Sequence, residues 1–427
     1  SVTFFWIILY NAMFVPIAFI LIHLIALFDE KVKRGLSGRR LSWVNLRKFR
    51  EKYPNNELFL IHSASLGEFE QAKPVIRGLK ALRPDILIVA SFTSPSGYEN
   101  AIRIPEVDLF IYLPIDTFLR IRRFIQKLKP QKIIFVTYEL WPNLIANAKR
   151  HHVPTYLMSA RIKKNSSKWM PIVRNLFRSL YRMLDYIYAI SEEDRLSVKN
   201  LTGSVNIKVL TLGDTRYDQV IQRAHERIHL TIPILFNEGF VFIGGSIWPQ
   251  DARHLLPALF KSMERFESFK VIIAPHEPNE YALEMLEDDF QQEGFSTLRL
   301  SKFKTPISDI RVILIDKVGI LAEFYHQADL AFIGGSFRGS IHNVMEPAVA
   351  GLPVLFGPTY HNSREAEILI KEGGGWCCED ENCFYKRIKS LIKNPELYKR
   401  ASFSSRQVIM KNLGASARTV KEILESE

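Results

Sequence analysis

The sequence predicts an α/β chain with two doubly wound parallel sheets, preceded by an apolar helix. Three observations predict it. At 427 residues the chain is too long for one ordinary core and long enough for two. Past residue 50, short β-branched or apolar runs alternate with amphipathic stretches, the order that βαβ units and a parallel sheet require. No Asp, Glu, Lys or Arg occurs before Asp29, so residues 2–28 form an apolar, aromatic run interrupted chiefly by Asn11, Pro16 and His23.

The opening run is long enough for a membrane, because about 20 apolar residues span a ~30 Å hydrocarbon core as a helix. Lys31, Lys33, Arg34, Arg39, Arg40, Arg47, Lys48 and Arg50 follow it, the reverse of a secretory signal, where basic residues come first. By the positive-inside rule this cluster leaves the rest of the chain on the cytoplasmic side, close to anionic headgroups. Residues 1–28 are therefore expected as a membrane anchor. A buried core helix is the alternative, and Asn11 and Pro16 admit a monotopic or partly inserted segment as well as a full span.

In residues 29–212 the expected strands are 58–61, 86–91, 109–113, 132–137, 155–159, 186–190 and 207–210, with helices 118–128 and 140–149 among those between them. Residues 213–236 are less regular and read as a linker. A second series, 241–244, 270–274, 312–315, 330–334 and 353–356, falls in residues 237–427. Two Rossmann-like domains with a cleft between them are expected, and in such open sheets ligands sit beyond the carboxyl ends of the strands.

Composition narrows the partners. A formal charge of +12 points to an anionic one: nucleic acid, a phospholipid surface or a phosphorylated substrate. No recognition-helix or aromatic-platform motif supports nucleic acid. The three cysteines, Cys377, Cys378 and Cys383, form neither a disulfide framework nor a zinc pattern.

The richest segment is FIGGSFRGSIHNVMEPAVAGLPVLFGP, residues 332–358. It reads as a strand, a Gly/Ser-rich loop, a helix opening at Asn343 and a second apolar strand. Such a helix start offers unpaired N–H groups and the positive end of the helix dipole, which suit a phosphate, with Glu346 at the rim for ribose hydroxyls. Asn343-x-x-Glu346 also has the spacing of a capping box, which needs no ligand. The first half repeats the ambiguity. HSASLGEFE, residues 62–70, puts Glu68 just past a strand, where it points into the cleft or completes a Ser65-x-x-Glu68 capping box. SFTSPSG, residues 91–97, offers hydroxyls that bind sugar or phosphate, or merely cap. YELWPN, residues 138–143, places Glu139 at another strand end, and two carboxylates on one sheet edge suit acid/base or cation-stabilising chemistry.

Taken in order, SASLGEFE, SFTSPSG, YELWPN, SARI, GDTRYD, GGS-W-P, APHEP and GGS…HNVMEPAVAGLPVLFGP resemble the Kdo transferase family. These enzymes attach 3-deoxy-D-manno-octulosonic acid (Kdo) to the lipid A precursor. The resemblance covers nearly the whole chain and implies a two-domain GT-B glycosyltransferase of lipopolysaccharide biosynthesis at the bacterial inner membrane, its catalytic domains on the cytoplasmic face. The first domain would take the lipid acceptor and the second the CMP-activated sugar. Another membrane-associated GT-B enzyme using a different nucleotide sugar, such as a UDP-sugar, is the alternative.

The resemblance also implies roles. Glu68 matches the catalytic base of the family's Gly-Glu motif, and Glu139 the Glu assigned to transition-state stabilisation. In GDTRYD, Arg216 stands where a Lys is usual; both are cations, but Arg offers a planar fork. Pro275 and His276 match a Pro-Arg pair at the nucleotide. Gly319, Ile320 and Leu321 fall where the family has Gly-Glu-Leu. Asn343, Val344, Met345 and Glu346 match the Asn-Pro-Leu-Glu motif at the CMP ribose and phosphate. Transfer from CMP-Kdo with inversion is expected. Arg216 and the helix start at Asn343 would stabilise the leaving phosphate, and no metal cofactor is expected. Arg161, Lys163, Lys164 and Lys168 either hold the lipid's phosphates or form a solvated basic surface.

Overall fold

The computed structural model describes residues 2–138, 140–162, 171–203, 207–227, 232–305 and 309–426. Glu139, Lys163, Lys164 and Lys168 lie outside the described residues. The chain divides into two compact units, residues 1–219 with 413–427, and residues 220–412.

The first unit holds a seven-stranded sheet: β1 (Leu58–Ser63), β2 (Leu87–Phe92), β3 (Leu109–Tyr112), β4 (Lys132–Val136), β5 (Thr155–Ala160), β6 (Tyr186–Ala189) and β7 (Lys208–Thr211). Their order is β3-β2-β1-β4-β5-β6-β7, and every pairing is parallel. All six residues of β1 are buried, because a parallel sheet carries helices on both faces. The pleat divides them: Leu58 and Leu60 enter one core, Phe59 and Ile61 the other. Between strands, the helix Phe118–Leu128 coincides with its expected bounds, opened by Thr117 Oγ1 accepting from Arg120 N and turning its apolar stripe inward.

The second unit repeats the plan with β8 (Phe240–Ile247), β9 (Phe269–Pro275), β10 (Thr297–Arg299), β11 (Val312–Leu314), β12 (Leu330–Ile333), β13 (Val354–Phe356) and β14 (Gly375–Cys377). The order is β10-β11-β9-β8-β12-β13-β14, again parallel throughout. The strands β10 and β14 escape the sequence reading because each has only three residues and lies at a sheet edge, where no long apolar run is needed.

The expected boundaries need correcting. Residues 413–427, expected in the second domain, pack in the first unit. Val420 and Ile423 of the helix Ala415–Glu425 join the core beside Val75, Ile76 and Leu79. Asp218 accepts from Gly414 N and Ser416 N, both at 2.7 Å, and Lys132 Nζ donates to Ile423 O and Ser426 O, both at 2.6 Å. Gly78 permits the approach, since a Cβ there would meet Val420 Cγ2 at 2.8 Å. The expected linker 213–236 contains a helix, Thr215–Arg227, and the division falls within it.

The opening run is helical: Val2–Leu9, a π-helical turn Tyr10–Phe14, then Val15–Ile25. Pro16 lacks the N–H an α-helix needs four residues past Ala12, and the wider turn just before it absorbs the mismatch. Phe5–Ile25 has a mean hydropathy of 2.3 with no residue fully buried, so by length and composition it suffices to cross a membrane. Asp29 then caps the helix Glu30–Lys52 through Lys31 N and Val32 N.

Candidate active site

In the first unit the quoted motifs all lie at the carboxyl ends of strands. Glu68 is the third residue of the helix Leu66–Leu82, which begins just past β1. The capping box forms: Ser65 Oγ accepts from Glu68 N at 3.4 Å, while Glu68 Oε2 accepts from Ala64 N at 2.6 Å and Ser65 N at 3.3 Å. Capping and a direction for the carboxylate are thus one arrangement. The next turn is packed onto it. Ser94 Oγ caps the helix Pro95–Asn100 through Gly97 N, and Ser94 N donates to Ala64 O at 3.3 Å. A Cβ on Gly97 would lie 3.1 Å from Ala64 O, so glycine is what lets the two turns touch. Beneath them His62 Nδ1 meets Ser91 Oγ at 2.9 Å across β1 and β2. Burial pushes the imidazole down to about 3, against the Ser91 hydrogen bond, so His62 is a neutral tie and not a proton carrier.

The helix bearing Glu68 is fastened to the neighbouring strand ends. Gln71 accepts from Thr137 Oγ1 at its side chain and from Thr215 Oγ1 at its backbone, both at 2.9 Å, and Thr215 meets Ser159 Oγ at 3.1 Å. Thr137 and Ser159 have φ of +57° and +52°, left-handed values that side chains other than glycine's rarely adopt. Such strain at strand ends persists only where the surroundings over-determine it. Arg216 follows Thr215, and its guanidinium forks onto Asp214, Nε to Oδ2 at 2.9 Å and Nη2 to Oδ2 at 2.6 Å. The expected cation is present but tied to an anion. Burial raises the phenol of Tyr138, with Arg161 and Arg216 opposing and Asp194 and Asp214 adding, so these five groups surround one strand edge.

Beside Glu139, the rest of its motif is visible. The helix Pro142–Arg150 has Pro142 in its first turn and no capping side chain of its own. Asp116, from the loop after β3, supplies the cap from a distance: its carboxylate accepts from Asn143 N at 3.0 Å and Leu144 N at 3.2 Å. Burial, outweighing those hydrogen bonds, pushes Asp116 up to about 6.

In the second unit the glycine-rich end of β8 meets the glycine-rich turn after β12. Gly334 N donates to Gly245 O at 2.9 Å, and a Cβ on Gly334 would lie 2.1 Å from Ser246 O, so no side chain fits. Asp251 is wholly buried and joins the turns, accepting from Trp248 N at 3.0 Å, Gly335 N at 2.7 Å and Phe337 N at 3.2 Å. Above them lies an aromatic stack. His276, just past β9, has Trp248 at 4.2 Å and His342 at 4.5 Å between ring centroids, and the Arg338 guanidinium lies 3.6 Å over Trp248. Trp248 Nε1 donates to His342 Nε2 at 2.9 Å, which needs a lone pair there. Burial and then His276 lower the His342 pKa, consistent with that neutral ring.

The structure brings Pro275 and His276 to the same strand ends as Asn343. Leu321 joins them through Gly245, where a Cβ would meet Leu321 Cδ2 at 3.0 Å and Tyr325 Oη at 2.6 Å. Ile320 precedes the short helix Leu321–Phe324, and Gly319 has φ +86° with open space around its Cα. The helix expected to open at Asn343 is corrected. It runs only Met345–Val349, and Asn343 Oδ1 accepts from Met345 N at 2.9 Å instead of from Glu346. Val344, not Asn343, precedes its first residue, and the Asn343-Glu346 capping box does not form. Glu346 instead pairs with Arg223 at 3.3 Å and lies close enough to the buried Tyr325 to raise its phenol pKa further, beyond the larger effect of burial. Trp248, Asp251, Arg338, His342 and Arg223 carry this geometry without having been singled out. Only the GGS-W-P and HNVME motifs pointed toward them.

Two parallel-sheet units with glycine-rich turns at their carboxyl edges define a GT-B-like α/β protein. Among solved structures, UDP-GlcNAc 2-epimerase from Neisseria meningitidis aligns over 87% of this chain and 100% of its own, with a TM-score of 0.63 at 15% identity. A glycosyltransferase from Rickettsia africae aligns over 87% and 100%, with a TM-score of 0.54 at 12% identity. These likenesses show the fold alone. The sequence is more particular: residues 38–219 match the family described as 3-deoxy-D-manno-octulosonic-acid transferase (kdotransferase). The 3-deoxy-D-manno-octulosonic acid transferase of Aquifex aeolicus is 29% identical, over 78% of this chain and 85% of its own. That of Chlamydophila psittaci is 28% identical over 78% and 77%, and that of Haemophilus influenzae 25% identical over 86% of each. Over most of its length, then, the chain is similar to 3-deoxy-D-manno-octulosonic acid transferases.

Asp116 makes a pH prediction. An unfolded Asp ionises near its ordinary value of about 3.9, whereas the folded carboxyl holds its proton to about 6. Between those values the folded state binds more proton, so this group's contribution to stability falls as pH rises. Urea melts of Asp116→Asn are expected to lose that part of the slope; an unchanged slope would assign it elsewhere.

Proposed function

We propose that this protein transfers Kdo from CMP-Kdo to a primary hydroxyl of the lipid A precursor lipid IVA, with inversion and with Glu68 as general base. The observation that carries the proposal is the setting of Glu68. It stands at the carboxyl end of β1, its Oε2 held by two backbone N–H groups, on a helix tied through Gln71 to the ends of β4 and β5. A carboxylate so directed accepts the acceptor's hydroxyl proton while that oxygen attacks the anomeric carbon from the face opposite CMP. As the bond to CMP breaks with oxocarbenium-like character, the leaving phosphate gains charge. The Arg338 guanidinium suits that charge, and Glu346 suits the ribose hydroxyls. Glu139 is assigned the stabilising role of its motif. Arg216 is assigned to the site as a cation whose direction Asp214 sets.

The chemistry is proposed to need no metal. The apolar helix is proposed to hold the protein to the bacterial inner membrane, its two units on the cytoplasmic face.

Glu68→Gln tests the base. Glutamine keeps the capping oxygen but takes no proton, so turnover with CMP-Kdo and lipid IVA is expected to fall by at least about 10²-fold, while CMP affinity and melting temperature stay near wild type. Near-normal turnover would remove Glu68 from the mechanism. In the same assay, EDTA is expected to leave the rate unchanged; a loss restored by magnesium would overturn the metal-free step.

Glu346→Ala tests the donor site. Its ion pair with Arg223 is partly exposed and contributes under about 1 kcal/mol, so the melt is expected to move little. CMP binding by calorimetry is expected to weaken by on the order of 1.5–3 kcal/mol, the worth of hydrogen bonds to a charged group. Equal CMP affinity in the variant would refute the ribose contact.

A further inference from the structure

The apolar helix does not stand clear of the first unit. Ile7 packs against the core, and midway along the run Tyr10 Oη donates to Asp116 Oδ2 at 3.0 Å. Asn11 and Asn143 exchange amide hydrogen bonds at 2.8 and 2.9 Å. Further on, the Arg120 guanidinium lies 5.0 Å from the Phe19 ring centroid, and His23 lines a cavity with residues of the helix Glu30–Lys52. Contacts from Ile7 to His23 extend about 24 Å along a helix rising ~1.5 Å per residue. The opposite stripe, with Phe5, Ile8, Phe14, Ile17, Leu21 and Leu24, is exposed.

A helix apolar on all sides needs apolar cover on all sides, and here the described residues supply it along one stripe only. If the helix crossed a bilayer, Asp116, Asn143 and Arg120 would be carried into a hydrocarbon core ~30 Å thick, or their bonds would break and leave polar groups unsatisfied there. If it lies flat, every contact survives and the exposed stripe meets acyl chains.

The cavity at its far end has a volume of about 410 Å³ and is lined by His23, Arg39, Arg40, Trp43, Arg120 and Arg123, among others. Arg39 is spent on the carbonyls of Leu113, Gly35 and Thr93. Arg40, Arg120 and Arg123 are exposed, and among the described residues no carboxylate lies within ion-pair distance of them. Three unneutralised guanidinium groups beside a half-buried tryptophan, level with an exposed apolar stripe, have the layering of a lipid interface, phosphate above and acyl chain below.

We propose that residues 2–25 lie in the plane of the membrane surface without crossing it, and that the cavity beside Arg40, Arg120 and Arg123 binds the phosphate headgroup of an anionic bilayer phospholipid. This rests on the membrane attachment proposed above and adds its geometry and its lipid.

Two experiments on the full chain decide it. In the first, a protease-cleavable tag is fused ahead of Ser1 and protease is added to intact spheroplasts. The tag is expected to survive until the membrane is permeabilised; cleavage from outside would overturn the flat geometry. In the second, sedimentation with phosphatidylcholine vesicles is compared with and without phosphatidylglycerol. The combined variant Arg40→Ala, Arg120→Ala, Arg123→Ala is expected to lose about 100-fold of the phosphatidylglycerol-dependent affinity, keeping its binding to phosphatidylcholine alone. The corresponding triple Lys variant, which keeps the charge, is expected to keep most of that affinity, excluding misfolding as the cause. An undiminished response in the Ala variant would overturn the headgroup site. So would selective loss of binding to lipid A precursor in phosphatidylcholine, which would assign the cavity to the acceptor. Wild-type protein that binds no vesicle of any composition would instead sink the membrane attachment itself.

Discussion

Buried and half-buried carboxylates that accept backbone N–H groups hold the site-forming turns of both units. A parallel sheet gathers its loops at one edge, and each loop that turns sharply into a helix leaves N–H groups without a carbonyl partner. Each such group costs about 1–3 kcal/mol if it is buried unsatisfied. Asp251 accepts from three of them, Asp116 from two and Glu68 from two. Burying an ion is itself expensive, and several convergent donors offset that cost. Where the donors offset it only in part, as at Asp116, the raised pKa records the deficit.

Around these anchors the backbone adopts conformations it would not choose alone. Thr137, Ser159 and Ser246 all take positive φ at strand ends, and Gly334 sits where any Cβ would strike Ser246 O. The strain falls on the edge where ligands bind in such sheets, and the hydroxyls of Thr137 and Ser159 are each tied by a hydrogen bond. Rigid turns of this kind suit chemistry in which charge develops at a defined place, because donors already in position need no reorganisation.

Much of this was legible in the chain, for local reasons. The helix Phe118–Leu128 could be read to the residue because its apolar stripe is regular and Thr117 stands before it. The capping of Glu68 could be read because Ser65 and Glu68 lie within one turn. The same spacing at Asn343 misled. Arg223 draws the Glu346 carboxylate away, and that partner is remote in sequence. The stack of Trp248, His276 and His342 was hidden for a related reason: its members follow three different strands, and only the order β9-β8-β12 makes those strands neighbours.

The sequence by itself determined the two parallel sheets, the apolar opening helix and the strand ends on which the motifs sit, since burial periodicity and turn chemistry act over a few residues. Tertiary structure alone decided which carboxylates cap and which pair with cations, that the C-terminal helix closes the first unit's core, and that the opening helix is tied by Tyr10 and Asn11 to Asp116 and Asn143. Each of those outcomes depends on a partner far along the chain. A local pattern records that a side chain can bond or be buried, but not which distant group will reach it first.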